Sequence, residues 1–208
     1  MYQYRLTEEI ARWGFEIVCQ KSKDWEIAFT NPTAGPWKTV KGKNPAGEEG
    51  EVHRFGLEDL RPDIILVNDA LCTIVIIEAK DSIKKLLTDK QSEKSVQVVA
   101  DLAQILQDKR ENPYWGARAD YDVVTGLLWG ADKTVSSDER EAVFEKYHDL
   151  VISHPGLDAS LLLGIETRKD EQDDLHCVLF AKQYDCDRKA GANGKIIASS
   201  LGIPLIQQ

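Results

Sequence analysis

A chain of 208 residues with 42% hydrophobic content has enough apolar material for one domain with a real core. No apolar run is long enough to span a bilayer, and the opening MYQYRLTEE lacks a secretory pattern, so no membrane association is expected and a cytoplasmic location is read. The net charge of −9 argues against a broad nonspecific DNA-binding surface, although a local basic cleft is compatible with an acidic exterior.

Leu6, Ile10, Trp13 and Ile17 fall at helical spacing, which predicts a helix over about 5–13, then Gly14 and a strand over 15–19. Glu9 lies ~60° of helix rotation from that stripe at ~100° per residue, and Glu8 points away from it. Residues 25–29 predict a short strand. Residues 31–50, NPTAGPWKTVKGKNPAGEEG, are rich in Gly and Pro and predict a loop carrying Lys38, Lys41 and Lys43 around Trp37. Glu48, Glu49, Glu51 and His53 follow. The cysteines, Cys19, Cys72, Cys177 and Cys186, show no zinc-ligand spacing. Cys72 and Cys177 lie in or beside apolar runs and read as buried free thiols in a reducing compartment.

The stretch 61–81, RPDIILVNDALCTIVIIEAKD, carries the chemistry. Two Ile- and Val-rich runs, 64–67 and 73–77, flank the turn signal Asn68-Asp69 and predict a β-hairpin. The runs barely alternate, as expected of strands covered on both faces. Side chains alternate across a strand, so Glu78 and Lys80 share one face and Ala79 takes the other. If Asn68 pairs with Thr73, Asp63 falls opposite Glu78, with Cβ atoms about 5 Å apart. A register one residue off would spoil this. Two carboxylates that close repel unless a cation lies between them. Mg²⁺ takes one or two carboxylates and keeps waters or phosphate oxygens as its other ligands. Lys80 would project beside such an ion as a point charge for a phosphate and its attacking water, which suits metal-assisted phosphodiester hydrolysis.

Pro62-Asp63 followed by Glu78-Ala79-Lys80 after a hydrophobic strand resembles the signature of the PD-(D/E)xK nuclease superfamily, which includes most type II restriction endonucleases. The resemblance implies an α/β core with a central mixed β-sheet flanked by helices, and Mg²⁺-dependent cleavage of double-stranded DNA, with Mn²⁺ as a possible substitute. It implies that Asp63 and Glu78 are metal ligands, that the Ala79 backbone carbonyl is a further one, and that Lys80 stabilises or activates the nucleophilic water. Family members often place a glutamate from the first helix near the metals. Glu9 is the candidate here, its plainer reading being a solvated helix-start carboxylate. Trp37, Lys38, Lys41 and Lys43 would touch phosphates or enter a groove, or else form a surface loop with solvated lysines. Gln97 loosely matches a glutamine that some members use on the helix after the lysine strand, and otherwise reads as part of a solvated face.

Residues 81–90 read as a polar crossing segment. A helix over 91–109 follows, with an apolar stripe of Val98, Val99, Leu102, Ile105 and Leu106 and a polar face of Gln97, Asp101, Gln104 and Asp108. Residues 123–129 predict a strand and 137–150 a helix capped by Ser136 or Ser137. Residues 159–165 and 175–183 predict a strand pair at an antiparallel edge of the sheet, joined by the acidic ETRKDEQDD. A last helix over 194–201 and a strand over 203–206 complete the expectation. The whole of 1–208 reads as a single nuclease domain, with its catalytic core over about 5–130 and 131–208 as the C-terminal part.

The function expected is that of a type II restriction endonuclease or the small catalytic subunit of a heterodimeric one. Its partners would be a second copy of the chain or a larger recognition or nuclease subunit. The alternatives are a DNA repair or junction nuclease of the same superfamily, and a non-catalytic DNA-binding or assembly module on this fold.

Overall fold

The fold is taken from a computed structural model, which describes residues 24–30, 39–43, 49–53, 62–106, 117–131, 135–154, 156–157, 161–169, 171–172, 174–183, 200 and 205–207. In chain order the elements are β1 (Glu26–Thr30), β2 (Thr39–Lys43), β3 (Glu49–His53), β4 (Ile64–Asn68), β5 (Thr73–Lys80), α1 (Ile83–Leu86), α2 (Asp89–Leu106), β6 (Asp122–Ala131), α3 (Ser137–Val151), β7 (Leu161–Lys169), β8 (Leu175–Gln183) and β9 (Leu205–Gln207). Seven strands form one sheet in the order β1-β4-β5-β6-β7-β8-β9, and β2 pairs only with β3 among the described residues. The sheet is mixed. β1/β4, β4/β5 and β7/β8 are antiparallel, whereas β5/β6, β6/β7 and β8/β9 are parallel. The fold is therefore α/β, as the sequence predicts.

The unbroken apolar runs of β4 and β5 follow from burial on both faces. Ile65, Val67, Ile74 and Ile76 face a layer that includes Ile83 and Leu86 of α1, Val99 and Leu102 of α2, and Phe144 and Val151 of α3. Ile64, Leu66, Val75, Ile77 and Ala79 face the other way, with Trp25, Val124 and Leu128. This alternation, continued along each strand, puts Asp63, Glu78 and Lys80 on the helix-covered face. The parallel step from β5 to β6 requires a crossover, which α1 and α2 supply. α3 is closed at its start by a reciprocal capping box. Ser136 Oγ accepts from Glu139 N at 3.2 Å, and Glu139 Oε2 accepts from Ser136 N at 3.2 Å, an arrangement worth about 1 kcal/mol.

The far end of the sheet is stapled by charge. Arg118 donates through Nε at 2.8 Å and NH2 at 3.1 Å to the two oxygens of Asp69, and NH2 also reaches Glu26 Oε2 at 3.1 Å. The guanidinium holds the Asp69 carboxyl below its usual range.

Several elements differ from expectation. Residues 39–43 and 49–53 form a hairpin rather than a loop. The Gly and Pro residues obscure a run of cross-strand partners, Val40 with Val52, Lys41 with Glu51 and Lys43 with Glu49, which suit an antiparallel pair. The crossing segment after β5 contains α1, anchored by buried Ile83 and Leu86. The strand pair β7–β8 is antiparallel but is not the edge, because β9 adds alongside β8. β7 also runs through the first residues of the expected acidic connection, to Lys169. Cys72 is exposed, not buried. It closes the hairpin turn at φ 49°, which turns its side chain away from the β5 run. The expected elements over 5–13 and 15–19 lie outside the described residues.

Gly164 marks a close approach between layers. A Cβ there would meet Trp129 Cη2 at 2.5 Å and Phe144 Cζ at 2.8 Å, both parts of stiff buried rings. Gly164→Ala is expected to lower stability by about 1–3 kcal/mol in urea denaturation through overpacking. An unchanged midpoint would show that the two rings have room to retreat.

Candidate functional site

Asn68 pairs with Thr73 and Ile64 with Ile77, which is the register that places Asp63 opposite Glu78. The turn fixes it: Asn68 Oδ1 accepts from Leu71 N at 2.9 Å, and Asp122 N donates to Cys72 O at 2.9 Å. Regular pairing ends at Ile64: Asp63 N donates to Ile77 O at 3.1 Å, one residue out of step with the ladder. Asp63 Oδ2 then accepts from Ala79 N at 2.6 Å, which ties the carboxylate to the end of β5. Pro62, buried, has no N–H to leave unpaired at that point.

Glu78 and Lys80 end β5 side by side on the same face and form an ion pair through Glu78 Oε1. The Lys80 ammonium also donates to the Ala79 carbonyl at 3.1 Å. The Glu78 and Lys80 side chains are 15% and 19% exposed, enough to meet a ligand from solvent while their inner sides stay in protein. Among the described residues Glu78 Oε2 accepts no hydrogen bond.

Residues outside the hairpin complete the surroundings, and the sequence reading missed them. Ser95 of α2, 4% exposed, donates from Oγ to Glu78 Oε1 at 3.4 Å. Tyr147 of α3, 1% exposed, sits behind it. Burial pushes the Tyr147 phenol up to about 12. The Ser95 and Ser92 hydroxyls beside it pull the other way, and the Glu78 charge adds to the rise. The signal for Ser95 was present in the sequence: Ser92 and Ser95 share the stripe of Val96, Val99, Leu102 and Ala103, and a polar residue on a buried helix stripe needs a partner. Tyr147 carries no such signal, because its ring fits a core position.

On the same face, Lys80 is in register with Trp129 and Trp129 with Glu166. Glu166 is fully buried, accepts from Trp129 Nε1 at 3.1 Å and pairs with Arg140 NH1 at 3.4 Å. This row lies at the carboxyl ends of the parallel strands β5, β6 and β7, where open α/β sheets bind ligands.

The other expected residues do not join the site. Gln97 is exposed and donates to Asp101 Oδ1 at 2.7 Å, along the solvent face of α2. Two residues earlier, Ser95 takes the inward position. Lys41 and Lys43 lie on β2, in register with Glu51 and Glu49 of β3. Glu9, Trp37 and Lys38 lie outside the described residues.

The donor set fits a hard divalent cation. Among the described residues no cluster of three or more His, Cys, Asp or Glu side chains occurs, so the set here is two carboxylates and a carbonyl. Mg²⁺ is commonly held in this way, by one or two carboxylates with water and phosphate oxygens around them. The Lys80 ammonium already rests on Glu78 Oε1 and the Ala79 carbonyl, so both oxygens converge on one cationic group.

Comparison with protein-family models, curated proteins and solved structures finds no match. Among the described residues no helix is long and apolar enough to cross a membrane.

Proposed function

We propose that the protein is a Mg²⁺-dependent endodeoxyribonuclease of the PD-(D/E)xK type, most simply a type II restriction enzyme or the small catalytic subunit of a heterodimeric one. The observation that carries this reading is the Ile64–Ile77 register, which continued by one residue sets Asp63 beside Glu78, together with the Asp63 carboxylate bound to Ala79 N and the Glu78–Lys80 pair. Asp63, Glu78 and the Ala79 carbonyl would hold the ion. Bound there, it would supply charge neutralisation at a phosphodiester and a more acidic water. Lys80, released from Glu78, becomes a point charge for the phosphate or the attacking water. Asp63 keeps its Ala79 N–H bond and fixes the spacing between the strands.

One such centre cuts one strand. The chain as a whole carries −9, so much of the phosphate contact would come from another polypeptide. A symmetric homodimer supplies it together with a second centre and a palindromic target. A larger partner subunit is the other arrangement. Incubation with long duplex DNA, with and without Mg²⁺, tests the activity. Discrete fragments only with Mg²⁺ are expected, smearing would indicate a nonspecific nuclease, and no cutting by the chain at any concentration or with Mn²⁺ would count against catalysis. Light scattering alongside a plasmid assay tests the pairing. A monomer that linearises supercoiled plasmid in one binding event would falsify the need for a second centre.

A further inference from the structure

Glu78 is approached from two sides. Lys80 reaches Oε1 from the strand's own end, and Ser95 reaches the same oxygen from α2. The Ser95 bond, at 3.4 Å, is at the long limit for a hydroxyl donor, as expected where an ammonium already occupies the acceptor. Behind Ser95, Tyr147 Oη is buried and makes no hydrogen bond of good geometry. An unsatisfied buried hydroxyl is destabilising, and a phenylalanine would fill the same space without one. Ser92, the other hydroxyl nearby, is committed to the Leu86 and Thr88 carbonyls at 2.6 and 3.0 Å. The acceptor that Tyr147 lacks is thus offered by Ser95 Oγ, whose own proton points at Glu78.

We infer that Ser95 and Tyr147 are positioning residues for Glu78, forming a relay, Tyr147 to Ser95 to Glu78 Oε1, that tightens when a divalent cation displaces the Lys80 ammonium. The inference rests on the nuclease reading of the site. The relay holds the Glu78 carboxylate in place through Oε1 after Lys80 leaves, so that the ion meets a carboxylate already oriented. It also links the metal ligand to both α2 and α3. The unpartnered phenol is then the cost of a site built for its loaded state.

The test uses the full chain labelled at the tyrosine ζ-carbons, with the Tyr147 resonance assigned from Tyr147→Phe. Mg²⁺ is expected to move that resonance in the wild type and leave it in place in Glu78→Gln. Ser95→Ala and Tyr147→Phe are each expected to bind Mn²⁺ about tenfold more weakly, the scale on which removing a ligand's supporting hydrogen bond acts. Their combination should be no weaker than either alone, since both break one relay, and Ser95→Thr should restore binding. If the wild type binds Mn²⁺ and Glu78→Gln does not, yet Ser95→Ala and Tyr147→Phe bind like the wild type, the positioning role is overturned and the nuclease reading stands. A wild type that binds neither ion overturns both.

Discussion

Lys80→Ala and Glu78→Ala are expected to abolish Mg²⁺-dependent DNA cleavage, with losses of at least about 10²–10³-fold, the scale on which a single preorganised charge acts at a reacting centre. Both side chains sit at the end of β5 beyond its packed run, so the fold should persist with unchanged circular dichroism. The two variants separate by metal binding. Glu78→Ala should weaken Mn²⁺ affinity because a carboxylate ligand is gone. Lys80→Ala should keep or strengthen it, because the competing ammonium is removed from Glu78 Oε1. Asp63→Asn belongs to the same series. Its Oδ1 can still accept from Ala79 N, so the strand spacing survives and the loss reports charge alone. Wild-type cleavage by any of the three would sink the assignment of the site.

The largest loss of stability is expected at Arg140. Its guanidinium, 13% exposed, pairs with fully buried Glu166, donates to the Val135 carbonyl at 2.6 Å and lies 4.3 Å above the Phe180 ring. Removing the cation from beside a buried carboxylate is costly, because the remaining charge stays in a poorly polarisable interior. Arg140→Ala should cost about 3 kcal/mol, read as a shift in the urea midpoint. Glu166→Gln should cost less, since the amide oxygen still accepts from Trp129 Nε1 and the charge left behind, the Arg140 guanidinium, reaches solvent and keeps the Val135 carbonyl. Equal stability of Arg140→Ala and wild type would show that other neighbours carry the Glu166 charge. Trp129 stands next to Lys80 in register, so Arg140→Ala also tests whether the site needs this support.

What the sequence made legible was local. The hairpin register could be derived because two apolar runs of similar length flank one turn signal and because Asp63 and Glu78 are symmetric about it. The two-sided burial of β4 and β5 was legible in their lack of alternation, and the capping of α3 in Ser136 followed by Glu139. The β2–β3 hairpin was not, because its Gly and Pro residues outweigh a modest strand signal. The surroundings of Glu78 were not legible either. Ser95 lies 17 residues from Glu78, and Tyr147 is further along the chain on a separate helix. Nothing in a single sequence states which helices will pack over a given strand end. The polar face of α2 drew attention to Gln97, whereas Glu78 is met by Ser95, embedded in its apolar face.

The turn between β4 and β5 acts as a ruler. It spans Asp69 to Cys72, held by the Asn68 side chain at one end and a left-handed residue at the other. A strand alternates faces with every residue, so a turn lengthened or shortened by one would leave both strands able to pair but would set Asp63 against Ile77 or Ala79. An apolar side chain would then stand where Glu78 does, and a carboxylate would be driven into the layer formed by Ile64, Leu66 and Val75. Substitutions within the turn alter only its own comfort. Its length decides whether Asp63 and Glu78 share a face, so this loop should vary in composition far more freely than in residue number.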